Sequence, residues 1–235
     1  SAASIKDRSD DSKSKIVITA DGGYRRGKIV KLKEVIDDAI NGFDFVKHVI
    51  VLERTKNKIS LSSKDKLWKD LMETISDSCD AEKLPSDHPL YILYTSGTTG
   101  KPKGVLHGTG GYLTHLYSTF KWAFDIKDSD VFFCTADIGW VTGHSYVVYA
   151  PLLHGATQIM YEGAPDFPDV SRMWDILQKY KTTIFYTTPT ALRMFMKFGD
   201  DVPIWENKLY REQPNFCDGD GPISRFRKWA NQFYA

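Results

Sequence analysis

Leu90-Tyr91-Ile92-Leu93-Tyr94-Thr95-Ser96-Gly97-Thr98-Thr99-Gly100-Lys101-Pro102-Lys103-Gly104-Val105 runs from an apolar strand into a loop of glycines, hydroxyls and lysines. Glycines let successive backbone N–H groups converge on an anion, Ser and Thr hydroxyls add donors, and lysines add charge. That combination suits a polyphosphate. It is not a Walker loop: two residues rather than four separate Gly97 from Gly100, and Pro102 stands where a hydroxyl ligand for Mg²⁺ would follow the lysine. A solvated hairpin tip of similar composition is the plain alternative, but a ten-residue string set directly against a strand favours anion binding.

Outward from this loop, short apolar runs alternate with helical spacing. Residues 16–19, 46–52, 90–94, 131–134, 158–161 and 183–187 read as strands, with 105–107 extended. Residues 30–40, 66–76, 112–124, 144–153, 169–179 and 189–198 read as helices, the last with proline at its start. This alternation predicts an α/β fold, a mostly parallel sheet flanked by helices. The polar stretch 55–87 is the best internal boundary, and periodicity fades after Asp201. The expected division is therefore 1–87, 88–201 and 202–235.

Composition narrows the function classes. In 235 residues, 42% hydrophobic and 26% charged content is globular, excluding a disordered or collagen-like chain. Lys+Arg 31 against Asp+Glu 30 leaves a net charge of +1, too small to attract nucleic acid or an anionic membrane. No apolar run reaches the roughly 18 residues of a membrane helix. Cys79, Cys134 and Cys217 are isolated and odd in number, which argues against a disulfide framework or a zinc site. His107, His115, His144 and His154 lack metal or triad spacing, and Asp137 suits a cap or a ligand equally.

Tyr94 through Val105 resembles, at every fixed position, the phosphate-binding signature of the adenylate-forming superfamily. Three further segments resemble the acetyl-coenzyme A synthetase (acetate–CoA ligase) family: Cys134-Thr135-Ala136-Asp137-Ile138-Gly139-Trp140-Val141-Thr142-Gly143-His144-Ser145-Tyr146, Tyr161-Glu162-Gly163-Ala164-Pro165 and Thr183-Ile184-Phe185-Tyr186-Thr187-Thr188-Pro189-Thr190-Ala191. Ala20-Asp21-Gly22-Gly23-Tyr24-Arg25-Arg26-Gly27-Lys28 and Ser1-Ala2-Ala3-Ser4-Ile5-Lys6-Asp7-Arg8 look like the same family. The likeness extends from residue 1 to about Asp201.

The resemblance implies part of the large domain of an adenylate-forming enzyme, with ATP, acetate and coenzyme A as substrates. A carboxylate attacks the α-phosphate to give acyl-AMP and pyrophosphate, and the coenzyme A thiol then displaces AMP. Thr95, Ser96, Gly97, Thr98, Thr99, Gly100 and Lys101 would hold the ATP phosphates, Lys101 with a catalytic role, and Mg²⁺ would accompany ATP with its protein ligands outside this chain. Arg25, Arg26, Gly27 and Lys28 would meet coenzyme A. Alone, such a charge run is usually a solvated face, but directly after a strand and turn it suits an anion. A Lys at position 28 in place of the family's usual Arg keeps charge without the planar fork. Trp140, Val141 and Thr142 would wall the acyl pocket, Thr142 also near the coenzyme A arm, and Asp166 occupies a coenzyme A position often held by Asn.

The second nucleotide motif departs from the family. Gly219-Asp220-Gly221-Pro222-Ile223-Ser224 keeps an acid and Pro-Ile but inserts a glycine, so Asp220, Gly221 and Pro222 are the divergent nucleotide candidates. The adenylating lysine domain and the aromatic that selects acyl length have no counterpart in the sequence, so the expectation is a fragment. A propionate-preferring synthetase and a catalytically silent nucleotide or coenzyme A module are the alternatives. Oligomeric state is unassigned, and the cytoplasm is the expected location, with the mitochondrial matrix left open.

Overall fold

A computed structural model of the chain describes residues 1–95 and 102–197. The chain divides into two compact units, Ser1–His115 and Leu116 onward.

The first unit is built on a parallel sheet of β1 (Ile16–Ala20), β4 (His48–Leu52) and β5 (Asp65–Leu67), in the order β1-β4-β5. Val17 pairs with Val49 and Thr19 with Val51, while Val49 also meets Asp65. Alternate residues of β4 point to opposite faces, so Val49 and Val51 are both buried on one. Helix α2 (Leu32–Ile40) covers that face with Ile36 and Ile40, and Val46 completes the core, with Ile5, Val17, Phe43 and Phe45 packed around it. Ile5 belongs to α1 (Ala2–Ser12), whose start is capped by Ser1 accepting from the Ser4 N–H. A lysine is sealed into the same unit. Lys33 is 1% exposed, its ammonium 2.5 Å from Asp37 and 3.2 Å from Asp65, which ties α2 to β5. A buried cation is tolerated only when paired in this way.

Two antiparallel hairpins complete the unit: β2 (Gly23–Arg25) with β3 (Lys28–Val30), and β6 (Pro89–Thr95) with β7 (Lys103–Gly108). The expected helix at 66–76 is shorter than its pattern suggests. Residues 65–67 pair with β4, and only Trp68–Met72 (α3) is helical.

The second unit has a parallel sheet in the order β10 (Ile184–Tyr186), β8 (Val131–Cys134), β9 (Thr157–Ile159). Successive aromatics of β8 anchor opposite faces. Phe133 packs with Met173, Trp174, Ile176 and Leu177, all but Phe133 from α7 (Arg172–Lys179). Phe132 meets Phe120 edge-on at 4.9 Å and Phe124 at 5.5 Å between ring centroids. Phe120 lies on α4 (Thr109–Trp122), the helix within which the two units divide. One helical run, α5 (Val141–Gly143), a π-helical turn (His144–Tyr149) and α6 (Ala150–His154), leads into β9, and α8 (Pro189–Met196) follows β10. The α/β expectation holds, but its single sheet is four separate ones among the described residues, two parallel and two antiparallel.

Candidate functional site

Parallel strands end together, so the loops that leave their carboxyl ends share one edge of a sheet, where ligands of open α/β folds bind. In the first unit, β1 runs into Asp21-Gly22 and the β2–β3 hairpin, while β4 runs into Glu53-Arg54-Thr55. Asp21, 1% exposed, joins these two exits. Its Oδ1 accepts from the N–H groups of Gly22 at 2.7 Å, Arg54 at 2.8 Å and Thr55 at 3.0 Å. Burial opposes the charge, yet the donors from Thr55, Arg54 and Gly22 outweigh it and hold the carboxyl below its ordinary range. Oδ2 is buried and has no hydrogen-bond partner among the described residues.

The hairpin that follows carries Arg25, Arg26, Gly27 and Lys28, all exposed. Arg26 and Gly27, at φ 48° and 73°, form its two-residue turn, the mirror-image type that matches strand twist. Arg25 and Lys28 are register partners, so both cations project from one face of the ribbon. Tyr24 and Ile29 occupy the other face, with the Arg54 guanidinium 5.1 Å over the Tyr24 ring. Like charges in register and a side-chain-bearing residue in the left-handed region are both unfavourable for folding alone.

Thr95 ends β6 opposite Lys103 of β7. A strand rather than a helix therefore follows Pro102, in keeping with a loop of non-Walker type. Ser96, Gly97, Thr98, Thr99, Gly100 and Lys101, between these partners, lie outside the described residues, as do Asp220, Gly221 and Pro222. The β6 strand is itself anchored: the Tyr94 hydroxyl donates to Asp11 on α1 at 2.6 Å. Burial first, then the Asp11 carboxylate, push the Tyr94 phenol above its ordinary value.

In the second unit, three loops leave the carboxyl edge of β10-β8-β9. After β8, the Asp137 carboxylate accepts from Gly139 N–H at 2.7 Å and its carbonyl accepts from Trp140 N–H at 3.0 Å, so Asp137 holds a tight turn ahead of the helical run. Trp140 is 69% exposed, Val141 is exposed and Thr142 half-buried. Gly143 has ordinary helical angles, φ −67° and ψ −47°, but a β-carbon there would lie 2.1 Å from the Asp137 carbonyl oxygen. The Thr135 hydroxyl meets that of Thr187 at 2.6 Å, linking the exits of β8 and β10. After β9, the Tyr161 hydroxyl lies 3.3 Å from the Ala164 carbonyl and 3.2 Å from that of Phe167, pinning the loop that bears half-buried Asp166. Gly163, at φ 157°, passes so close to the Tyr161 hydroxyl that a β-carbon would be 2.5 Å away.

The histidines have structural surroundings: His107 stacks on Tyr91, His144 Nδ1 is 3.2 Å from the Trp140 carbonyl, and His154 Nε2 is 3.0 Å from that of Tyr117. Burial pushes the Cys134 thiol up, against a weaker opposing hydrogen bond from Ala136, whereas Cys79 is exposed. Asp21, Gly143 and Tyr161 were given no role by sequence. Each lies inside a quoted motif, and for Asp21 the signal was an acid between a strand end and two glycines.

Loops at the carboxyl edges of two parallel sheets define an α/β protein of the ligand-binding kind, in the architecture of the large domain of adenylate-forming enzymes. The chain belongs to the AMP-binding enzyme family, whose model matches residues 1–217. It is 55% identical over 207 residues to the acetyl-coenzyme A synthetase of Pyrobaculum aerophilum, covering 86% of this chain and 31% of that protein. Acetyl-coenzyme A synthetases of Chlorobaculum tepidum and Streptomyces coelicolor are each 53% identical, over 85% and 86% of this chain and 30% and 32% of theirs. Among solved structures, acetoacetyl-CoA synthetase from Streptomyces lividans superposes with a TM-score of 0.76 at 27% identity, covering 84% of this chain and 30% of that one. The chain thus spans about a third of the length of the curated relatives it matches. No described helix is long and apolar enough to cross a membrane.

Proposed function

We propose that this chain forms the phosphate-, acyl- and coenzyme A-contacting part of an acetate–CoA ligase. The observation that carries the reading is the 207-residue match, at 55% identity, to a relative named acetyl-coenzyme A synthetase. The two half-reactions are adenylation of acetate by ATP with release of pyrophosphate, then transfer of the acetyl group from AMP to the coenzyme A thiol. Both move charge between phosphate oxygens and a carbonyl, so positioned donors and cations do most of the catalytic work.

In this reading, residues 1–87 bring coenzyme A to the hairpin cations Arg25, Arg26 and Lys28, with Gly27 completing the turn. Residues 88–201 hold the ATP phosphates on Thr95 through Lys101, with Lys101 stabilising charge on the departing pyrophosphate. Trp140, Val141 and Thr142 line the acyl group, with Thr142 and Asp166 toward the coenzyme A arm. A bulky indole beside a short acid limits chain length. Residues 202–235 form a divergent segment in which Asp220, Gly221 and Pro222 contact the nucleotide. Mg²⁺ arrives with ATP. Among the described residues no group of three or more His, Cys, Asp or Glu is placed to hold an ion.

The reading is tested by giving the full-length protein ATP, coenzyme A and either acetate or propionate, and following AMP and thioester. Acetate should give the higher kcat/KM, with one AMP per acetyl-CoA. A preference for propionate would overturn the choice of acid, and ADP in place of AMP would overturn the reaction type.

A further inference from the structure

The β2–β3 hairpin is a short ribbon that holds like charges in register, so something outside it must fix its pose. The structure supplies one fixture. The Oδ1 of Asp21 accepts one hydrogen bond of 2.7 Å from the N–H of Gly22, the residue before the hairpin, and two of 2.8 and 3.0 Å from the N–H groups of Arg54 and Thr55 in the loop after β4. The Arg54 backbone held in this way carries a guanidinium that lies 5.1 Å from the centre of the Tyr24 ring. Tyr24 is on the face of the hairpin opposite Arg25 and Lys28. Asp21 also contributes its main chain: its N–H donates to Leu52 at the end of β4, and its carbonyl accepts from Lys33 N–H on α2 at 3.4 Å. Gly22 permits the close fit, since a β-carbon there would lie 2.7 Å from Thr55 Oγ1 and 2.8 Å from Asn57 Oδ1.

We infer that Asp21 is a positioning residue of the anion site on the hairpin: through Gly22 and through Arg54 on Tyr24, it fixes the ribbon so that Arg25 and Lys28 present two cations side by side to the phosphates of a nucleotide-type ligand. The inference rests on the proposed use of that hairpin for coenzyme A. One carboxylate oxygen takes all three donors while the other, also buried, has no hydrogen-bond partner among the described residues. The arrangement therefore depends on a single charged acceptor held in a buried seat cut to the length of an aspartate. Charge-assisted bonds are about twice as strong as neutral ones. Asp21→Asn keeps the shape, weakens the acceptor and leaves Arg25 and Lys28 in place.

The test compares wild type, Asp21→Asn and Arg54→Ala in the full-length protein, measuring KM for coenzyme A and, separately, acetate-dependent ATP–pyrophosphate exchange, which needs no coenzyme A. Arg54 is exposed, so its replacement reaches the same hairpin without opening the buried cluster. Both variants should raise KM for coenzyme A by about tenfold, against a change of less than twofold in exchange; Asp21→Glu should not restore it, because its extra methylene does not fit the buried seat. Equal losses in KM and exchange would mean that Asp21 only supports the fold, and would overturn the inference. An unchanged KM in both variants would overturn it as well, provided Arg25→Ala raises KM. If Arg25→Ala also leaves KM unchanged, the hairpin is not the coenzyme A site, and the underlying reading fails with it.

Discussion

The backbone of Gly143 presses against the carbonyl of Asp137, so closely that a β-carbon at 143 would fall 2.1 Å from the oxygen and 2.6 Å from the carbonyl carbon. The glycine is needed for this approach and not for its dihedral angles, which are those of any helical residue. The contact sets where the helical run after the β8 loop begins, and so where Trp140, Val141 and Thr142 stand.

Gly143→Ala separates the two physical effects. Helix propensity alone predicts a gain of about 1 kcal/mol. The steric contact predicts a loss of about 1–3 kcal/mol as the loop is forced away. We expect the loss to win, lowering the midpoint of thermal unfolding and, if Trp140 walls the acyl pocket as proposed, raising KM for acetate several-fold. A variant more stable than wild type with unchanged acetate KM would show that the loop yields freely.

Asp21 gives a pH-dependent signature. Its carboxyl is held below its ordinary range in the folded protein, because the backbone donors outweigh burial. The unfolded chain therefore takes up the proton first as pH falls. The stabilisation by this group is fully present above about pH 4, the ordinary carboxylate value, and drains away as pH drops through the folded value. Urea unfolding of wild type and Asp21→Asn should differ by on the order of 1–2 kcal/mol at pH 7, in favour of wild type. That gap should narrow at pH 3. A gap that stays constant between the two pH values would contradict the charge-based account of this residue.

Much of the fold was legible because apolar periodicity survives burial on two faces. Phe132 and Phe133 sit in an unbroken apolar run, and each finds its own core. Strand pairing was legible only where the link is short. Residues 95–104 are too few for a parallel crossover, so strands on either side of them can pair only antiparallel, as Tyr94 and Gly104 do. No such limit fixes the order β10-β8-β9, because an apolar run does not say which strand it will lie beside. Helix α1 escaped because its sequence, Ala-Ala-Ser-Ile-Lys-Asp-Arg-Ser-Asp-Asp-Ser, offers one large apolar residue, Ile5, to the core. The β2–β3 hairpin escaped because Arg26-Gly27 lacks the Asn-Gly signature that usually announces such a turn. The motifs of the candidate site stood out as strings of residue types. What they could not reveal was their support: the hydrogen bonds that Asp21 accepts from Arg54 and Thr55 span more than thirty positions of sequence.

The central claim is that this chain carries the phosphate-handling loop of an enzyme that adenylates acetate. Acetate-dependent exchange of labelled pyrophosphate into ATP, by the full-length protein with and without Lys101→Ala, tests it most directly. The account predicts exchange that requires acetate, proceeds without coenzyme A and falls by at least a hundredfold in Lys101→Ala, the scale on which loss of one electrostatic stabiliser acts. Exchange that ignores acetate, or that is untouched by Lys101→Ala, would contradict it.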